Sequence, residues 1–135
     1  MWPVNNPTGE IDIAEWYSQY PDRVIPYLHY AYNGSKVTSY NPLSGTNVVT
    51  NNDFLVKDVN AFHEYAVEWT PTTITITVDG RIVLTDRLAA SGTSPFDQPF
   101  FMLLTSCLGS ATNAFDPQTT PLPATTQVDW VRAWK

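Results

Sequence analysis

Thr72-Thr-Ile-Thr-Ile-Thr-Val78 alternates threonine with isoleucine or valine, and runs through Asp79-Gly80 into Arg81-Ile-Val-Leu-Thr85. Period-two alternation describes a half-buried strand with its apolar side chains inward and its threonines outward. An Asp-Gly pair between two such runs is the strongest short-range hairpin signal. Upstream, Phe62-His-Glu-Tyr-Ala-Val-Glu-Trp69 also alternates, with His63, Tyr65, Val67 and Trp69 on one face, and Thr70-Pro71 turns the chain. Residues 62–85 therefore predict a three-stranded antiparallel meander.

Further strands are expected over residues 10–15, over 24–32 with Asn33-Gly34 as its turn, and over 128–134. The apolar run of residues 99–108 predicts a strand buried on both faces. Residues 41–61 and 109–126, rich in Asn, Thr, Pro and Gly, read as loops, and a helical turn is expected only near residues 86–90. Eleven prolines against six glycines argue against a helical bundle. At 135 residues the chain suits one domain, and short strands separated by turn signals indicate an antiparallel β-sandwich or jelly roll.

Charge narrows the partners. Seven Lys and Arg against thirteen Asp and Glu leave a net charge of −6, with no basic run. Nucleic-acid binding requires phosphate neutralisation and is disfavoured on that ground; anionic membrane surfaces are disfavoured equally. The longest apolar runs fall far short of the roughly 20 residues a membrane helix needs. A neutral polymer such as a polysaccharide stays open. The lone Cys107 excludes an internal disulfide framework and is expected as a buried thiol. Nothing in the spacing of Cys and His points to zinc. Residues after Met1 lack the basic flank and apolar core of a signal peptide.

Gly9-Glu-Ile-Asp-Ile-Ala-Glu15 carries three carboxylates within six residues of an otherwise apolar strand. In a regular strand Glu10 and Asp12 share a face and Glu15 points away. One extra residue, a β-bulge around Ile13-Ala14, returns Glu15 to the face of Glu10. Their Cα atoms are then roughly 13 Å apart at about 3.3 Å per step. Two glutamate arms leaning together close that to about 5–5.5 Å, the separation of a retaining glycosidase. One carboxylate attacks the anomeric carbon; the other protonates the leaving oxygen and then deprotonates water. Like charges so close destabilise a sheet face, and keep the acid protonated. A solvated strand face without chemistry remains the alternative at this point.

Glu10-Ile-Asp-Ile-Ala-Glu15 resembles the active-site motif of glycoside hydrolase family 16 in its bulged E-x-D-x-x-E form, that of laminarinase-like members acting on β-1,3-glucans. Trp2-Pro3, Tyr27-Leu-His-Tyr30, the 62–80 meander, Pro99-Phe-Phe-Met-Leu-Leu104 and Val128-Asp-Trp-Val-Arg132 are similar to family segments in the same order. The resemblance implies an all-β, concanavalin A-like jelly roll. It also implies an endo-acting, retaining hydrolase of internal β-1,3 or mixed β-1,3/1,4 glucosidic bonds, working as a monomer without a cofactor. By the same resemblance Glu10 is the nucleophile, Glu15 the acid/base and Asp12 the residue that orients Glu10. His29 would sit near the acid/base or a bound sugar, and Trp2 would stack on a sugar face. Trp16 is expected to pack off the catalytic face, and Trp69, Trp130 and Trp134 to lie in the core or sheets. Asp129 lies where some members bind structural calcium, which takes six to eight oxygen ligands.

The family usually places this motif near the middle of a longer domain. The expectation is therefore that residues 1–135 are the C-terminal part of one catalytic domain, with N-terminal strands and an export signal upstream, and a secreted full-length protein. After the apolar strand the family shows Asn and a Gly-Gly pair; Thr105-Ser-Cys-Leu-Gly-Ser110 keeps one glycine. Two other readings stay open: a non-catalytic carbohydrate-binding module using Trp2, Trp16 and Tyr17, and a remnant without activity. The crowded carboxylates argue against the binding module, since a binder gains nothing from them.

Overall fold

A computed structural model describes residues 1–4, 9–18, 20–32, 35–40, 55–87, 96–109 and 114–135. The chain divides into two compact units, residues 1–103 and residues 104–135. The eight strands found among the described residues all belong to the first. They are β1 (Trp2–Pro3), β2 (Glu10–Glu15), β3 (Ile25–Tyr32), β4 (Ser35–Tyr40), β5 (Tyr65–Trp69), β6 (Thr73–Val78), β7 (Arg81–Arg87) and β8 (Phe100–Phe101). Every pairing is antiparallel: β2-β3-β4 form one sheet, β5-β6-β7 a second, and β1-β8 a two-stranded ribbon. Among the described residues there is no helix. The chain is thus all-β, of the antiparallel sandwich class the sequence predicts.

The meander forms where its alternation places it. Ile74, Ile76 and Val78 of β6 are buried while Thr73, Thr75 and Thr77 are half-buried. Val78 pairs with Arg81 across a two-residue turn. Asp79 (φ 50°) and Gly80 (φ 75°) are both left-handed, the requirement of a type I′ hairpin. The ladder then shifts: Thr77 faces Ile82 and Ile76 faces Leu84. Val83 is the extra residue, so the adjacent Val83 and Leu84 are both buried, which strict alternation forbids. At the other end Thr70 Oγ1 accepts from the backbone N–H of Thr73 at 3.0 Å and holds the β5–β6 turn.

One core joins the two three-stranded sheets. Ile11 and Leu28 from the first sheet, and Ile74, Ile76, Val78, Val83 and Leu84 from the second, cluster with Val24, Val56 and Phe96. Each such side chain removed from water contributes about 1.5–3 kcal/mol. The apolar faces of β2 and β6 are therefore spent on one core, and the acidic positions of β2 are left on its other side.

Several expectations need correction. The first meander strand begins at Tyr65, with residues 62–64 outside the ladder. Of residues 99–108 only Phe100 and Phe101 are strand, and residues 101–108 are exposed, Cys107 among them. An unbroken apolar run specifies burial only where sheets cover both of its faces. Residues 128–134 alternate but join no ladder among the described residues, and Trp130 and Trp134 are exposed. Trp16 and Trp69 are also largely exposed rather than packed. Asp86 and Arg87 continue β7 instead of opening a helical turn, because Ile74 and Thr73 offer them ladder partners; residues 88–90 of that expectation lie outside the described residues. So do the Asn33-Gly34 turn and residues 41–54.

Residues 104–135 contain local polar contacts. Asp116 accepts from the backbone N–H of Gln118 at 2.9 Å and from Thr119 Oγ1 at 2.8 Å, and these bonds hold its carboxyl below the usual range. The Arg132 guanidinium lies over the Trp130 ring at 4.8 Å, a cation–π contact.

Candidate active site

β2 is built around an irregularity. Glu10 pairs with His29 and Asp12 with Tyr27, but Glu15 pairs with Ile25. Three steps along β2 thus match two along β3, so one extra residue lies between Asp12 and Glu15. His29, Tyr27 and Ile25 alternate along β3 and share one face. Glu10, Asp12 and Glu15 stand opposite them and share it too. The opposite face sends Ile11 and Leu28 into the core. A bulge where the spacing predicts one is what gathers three acids onto a single side.

Each acid has its own partner. Trp2 Nε1 donates to Glu10 Oε1 at 2.6 Å. The reach follows from the backbone: Ile11 N–H donates to Met1 O at 3.0 Å, so the first residues run beside β2, while Trp2 pairs with Phe101 on β8. Asp12 Oδ2 lies 3.2 Å from His29 Nε2. Tyr17, two residues beyond Glu15, donates its hydroxyl to Glu15 Oε1 at 3.0 Å. The Tyr27 and His29 rings stack with centroids 6.1 Å apart.

The electrostatics follow from this crowding. Burial, and then the carboxylates of Glu10 and Glu15, push Asp12 up to about 6, against the opposing pull of His29 and the amino terminus. Burial and the Glu15 carboxylate push the Tyr17 phenol up to about 12, and Tyr27 is raised by burial and by Glu15 in the same way. Both phenols therefore hold their protons more tightly than a free tyrosine does.

Glu10, Asp12 and His29 each offer an atom within 4.8 Å of the others, the one such group of three potential metal ligands among the described residues. Asp129, exposed in the second unit, belongs to no such group. The site thus brings together Glu10, Asp12, Glu15, His29 and Trp2. Sequence reasoning did not pair Tyr17 with Glu15; its spacing of two from Glu15, past an exposed Trp16, was the available signal.

Chemically, the arrangement offers two outer carboxyls on one face and a third, easily protonated, between them. An indole N–H holds one end and a phenol the other. The profile of "Glycosyl hydrolases family 16" matches residues 1–132. The chain is 34% identical to a "Beta-glucanase" of Rhodothermus marinus, covering 99% of this chain and 46% of that protein. It is 27% identical to a "Glucan endo-1,3-beta-glucosidase" of Cryptopygus antarcticus, covering 98% of this chain and 50% of that protein. It is 28% identical to "Glucan endo-1,3-beta-glucosidase A1" of Niallia circulans, covering 95% and 19% respectively. The chain therefore spans about half the length of the first two relatives. No solved structure gives a significant match. With its bulged acidic strand and a family match that runs almost from end to end, the chain belongs to glycosyl hydrolases family 16.

Proposed function

We propose that this chain carries the catalytic carboxylates of an endo-acting, retaining hydrolase of internal β-1,3-glucosidic bonds, mixed β-1,3/1,4 linkages included. Glu10 attacks the anomeric carbon while Glu15 donates a proton to the departing oxygen. Glu15 then takes a proton from the water that releases the glycosyl-enzyme. Asp12, pushed up to about 6, removes one negative charge from beside Glu10 when it takes up its proton. Trp2, half exposed, can present its ring to a sugar, and His29 lies across the strand pair from Glu10. The substrate is a neutral β-glucan met outside the cell, and the protein acts as a monomer.

The single observation behind this reading is the register shift between Asp12 and Glu15. A regular strand would send one outer acid to the core side. The test is incubation of the chain with laminarin, following the product anomer by proton NMR. Initial release of the β-anomer is expected, and initial α-anomer would exclude retention. Glu15→Gln should slow turnover by about a hundredfold or more, the usual worth of a general acid. Glu10→Gln should abolish it, and an active Glu10→Gln variant would sink the assigned nucleophile.

A further inference from the structure

The departing group in polysaccharide cleavage is a sugar alkoxide, which leaves only as its oxygen gains a proton. The acid must therefore present the proton-bearing oxygen toward the bond that breaks. A glutamate carboxyl rotates freely about its last torsion, which is broad and roughly two-fold. Something must fix it. Glu15 ends β2, where the ladder stops constraining the chain, so the strand alone does not.

Tyr17 supplies the constraint. Beyond the end of β2, Trp16 is exposed and Tyr17 half-buried. The Tyr17 hydroxyl donates to Glu15 Oε1 at 3.0 Å, and desolvation beside that carboxylate keeps the phenol protonated. With Oε1 occupied as an acceptor, the acid's own proton sits on Oε2. We propose that Tyr17 is a positioning residue for the acid/base Glu15, holding Oε1 so that Oε2 delivers the proton. This rests on the catalytic reading above and deepens it.

The step balances. The Glu15 Oε2–H proton passes to the glycosidic oxygen as the C–O bond breaks and the leaving sugar departs as an alcohol. A Glu10 carboxylate oxygen bonds the anomeric carbon. Glu15 is left as a carboxylate, and the Tyr17 hydrogen bond, neutral at the start, becomes charge-assisted. Such bonds are roughly twice as strong as neutral ones. Tyr17 therefore favours the transition state over the ground state, the only kind of interaction that raises the rate of the chemical step.

The experiment compares wild type and Tyr17→Phe on two substrates, laminarin and a 2,4-dinitrophenyl β-laminarioligosaccharide. Dinitrophenolate leaves without a proton. The quantity read is kcat/KM, which reports only steps up to cleavage of the glycosidic bond. Y17F should lose about tenfold on laminarin, through kcat with KM unchanged, and lose nothing on the activated substrate. The ratio of the two values cancels any difference in folded fraction, so even a partly misfolded variant distinguishes the outcomes. Equal loss on both substrates, or no loss on laminarin, overturns the role of Tyr17 while the catalytic reading stands. A wild-type chain that turns over neither substrate sinks the catalytic reading and this role with it.

Discussion

The indole nitrogen of Trp2 and the carboxylate of Glu10 are joined at 2.6 Å, across eight residues of sequence and from two different ribbons. The N–H of Trp2 is thus committed to Glu10, while its half-exposed ring is left for the proposed sugar contact. Trp2→Phe keeps a ring and loses the N–H. It should lower kcat on laminarin by about tenfold, because the attacking carboxylate is no longer held in line with the anomeric carbon, with little change in KM. Trp2→Ala should raise KM as well. Steady-state kinetics on the two variants separate the effects; a Trp2→Phe enzyme with full kcat would leave Trp2 with stacking alone.

Asp12 sets stability against activity. Its folded-state pKa, about 6, stands above the ordinary value of 3.8. The folded chain therefore binds the Asp12 proton more tightly than the unfolded chain does. Stability from this group falls as pH rises from about 4 to about 6, and the full penalty remains above that. Asp12→Asn should be more stable than wild type at pH 7 by about 1–2 kcal/mol once solvent screening is allowed for. It should show no such gain below about pH 4. The same variant should lose kcat. Urea denaturation at the two pH values checks the first claim, and equal gains at both would refute it.

His63 provides a second pH dependence, of the same sign but in a higher pH window, and away from the acidic strand. Its Nδ1 lies 2.7 Å from Asp79 Oδ2 and its Nε2 lies 2.6 Å from the Asp58 carbonyl. Both ring nitrogens face acceptors, which favours the cation. The Asp58 carbonyl and then Asp79 raise the His63 pKa, while His63 and the Glu64 N–H lower that of Asp79. The histidine's contribution is complete below its ordinary value of 6.5 and is lost as pH rises through its raised one. The aspartate's contribution is present above 3.8 and is lost as pH falls through its lowered one. The Tm difference between wild type and His63→Gln should be largest between the ordinary values of Asp79 and His63, 3.8 and 6.5, and should shrink as pH rises past the histidine's raised value. A difference that is flat with pH would count against the pair.

Gly80 tests the hairpin. A Cβ built there meets nothing within 4 Å, yet φ is +75°. The cost of a side chain is then conformational and not steric. Gly80→Ala should destabilise by about 1 kcal/mol, and Gly80→Asn by less, since asparagine tolerates the left-handed region. Chemical denaturation distinguishes them, and equal losses would point to some cost other than φ.

What could be read in advance was local. The Thr/Ile alternation of β6 and the Asp79-Gly80 turn need only neighbours in sequence, and both formed as their chemistry requires. The bulge in β2 was legible because three acids within six residues make sense on one side only if the strand holds one residue too many. The missed features were non-local. No periodicity joins Trp2 to Phe101, because that ribbon closes across most of the first unit. The 128–134 segment shows the converse: alternation encodes a face, but a strand also needs an edge to pair with. The Tyr17 hydroxyl reaches Glu15 through side-chain torsions that spacing does not encode.

The odd residue between Asp12 and Glu15 has one more effect, which concerns chain length. Removing Ile13 or Ala14 would leave Glu10 and Glu15 four positions apart, an even count, and a pleated ribbon still shows even counts on the same surface. Elsewhere in a sheet, a one-residue deletion turns every later side chain over. Here it would only flatten a kink. The acidic strand can thus exist in two lengths without exchanging its wet surface for its dry one, and an indel at this spot would pass as a change of spacing rather than a loss of the site.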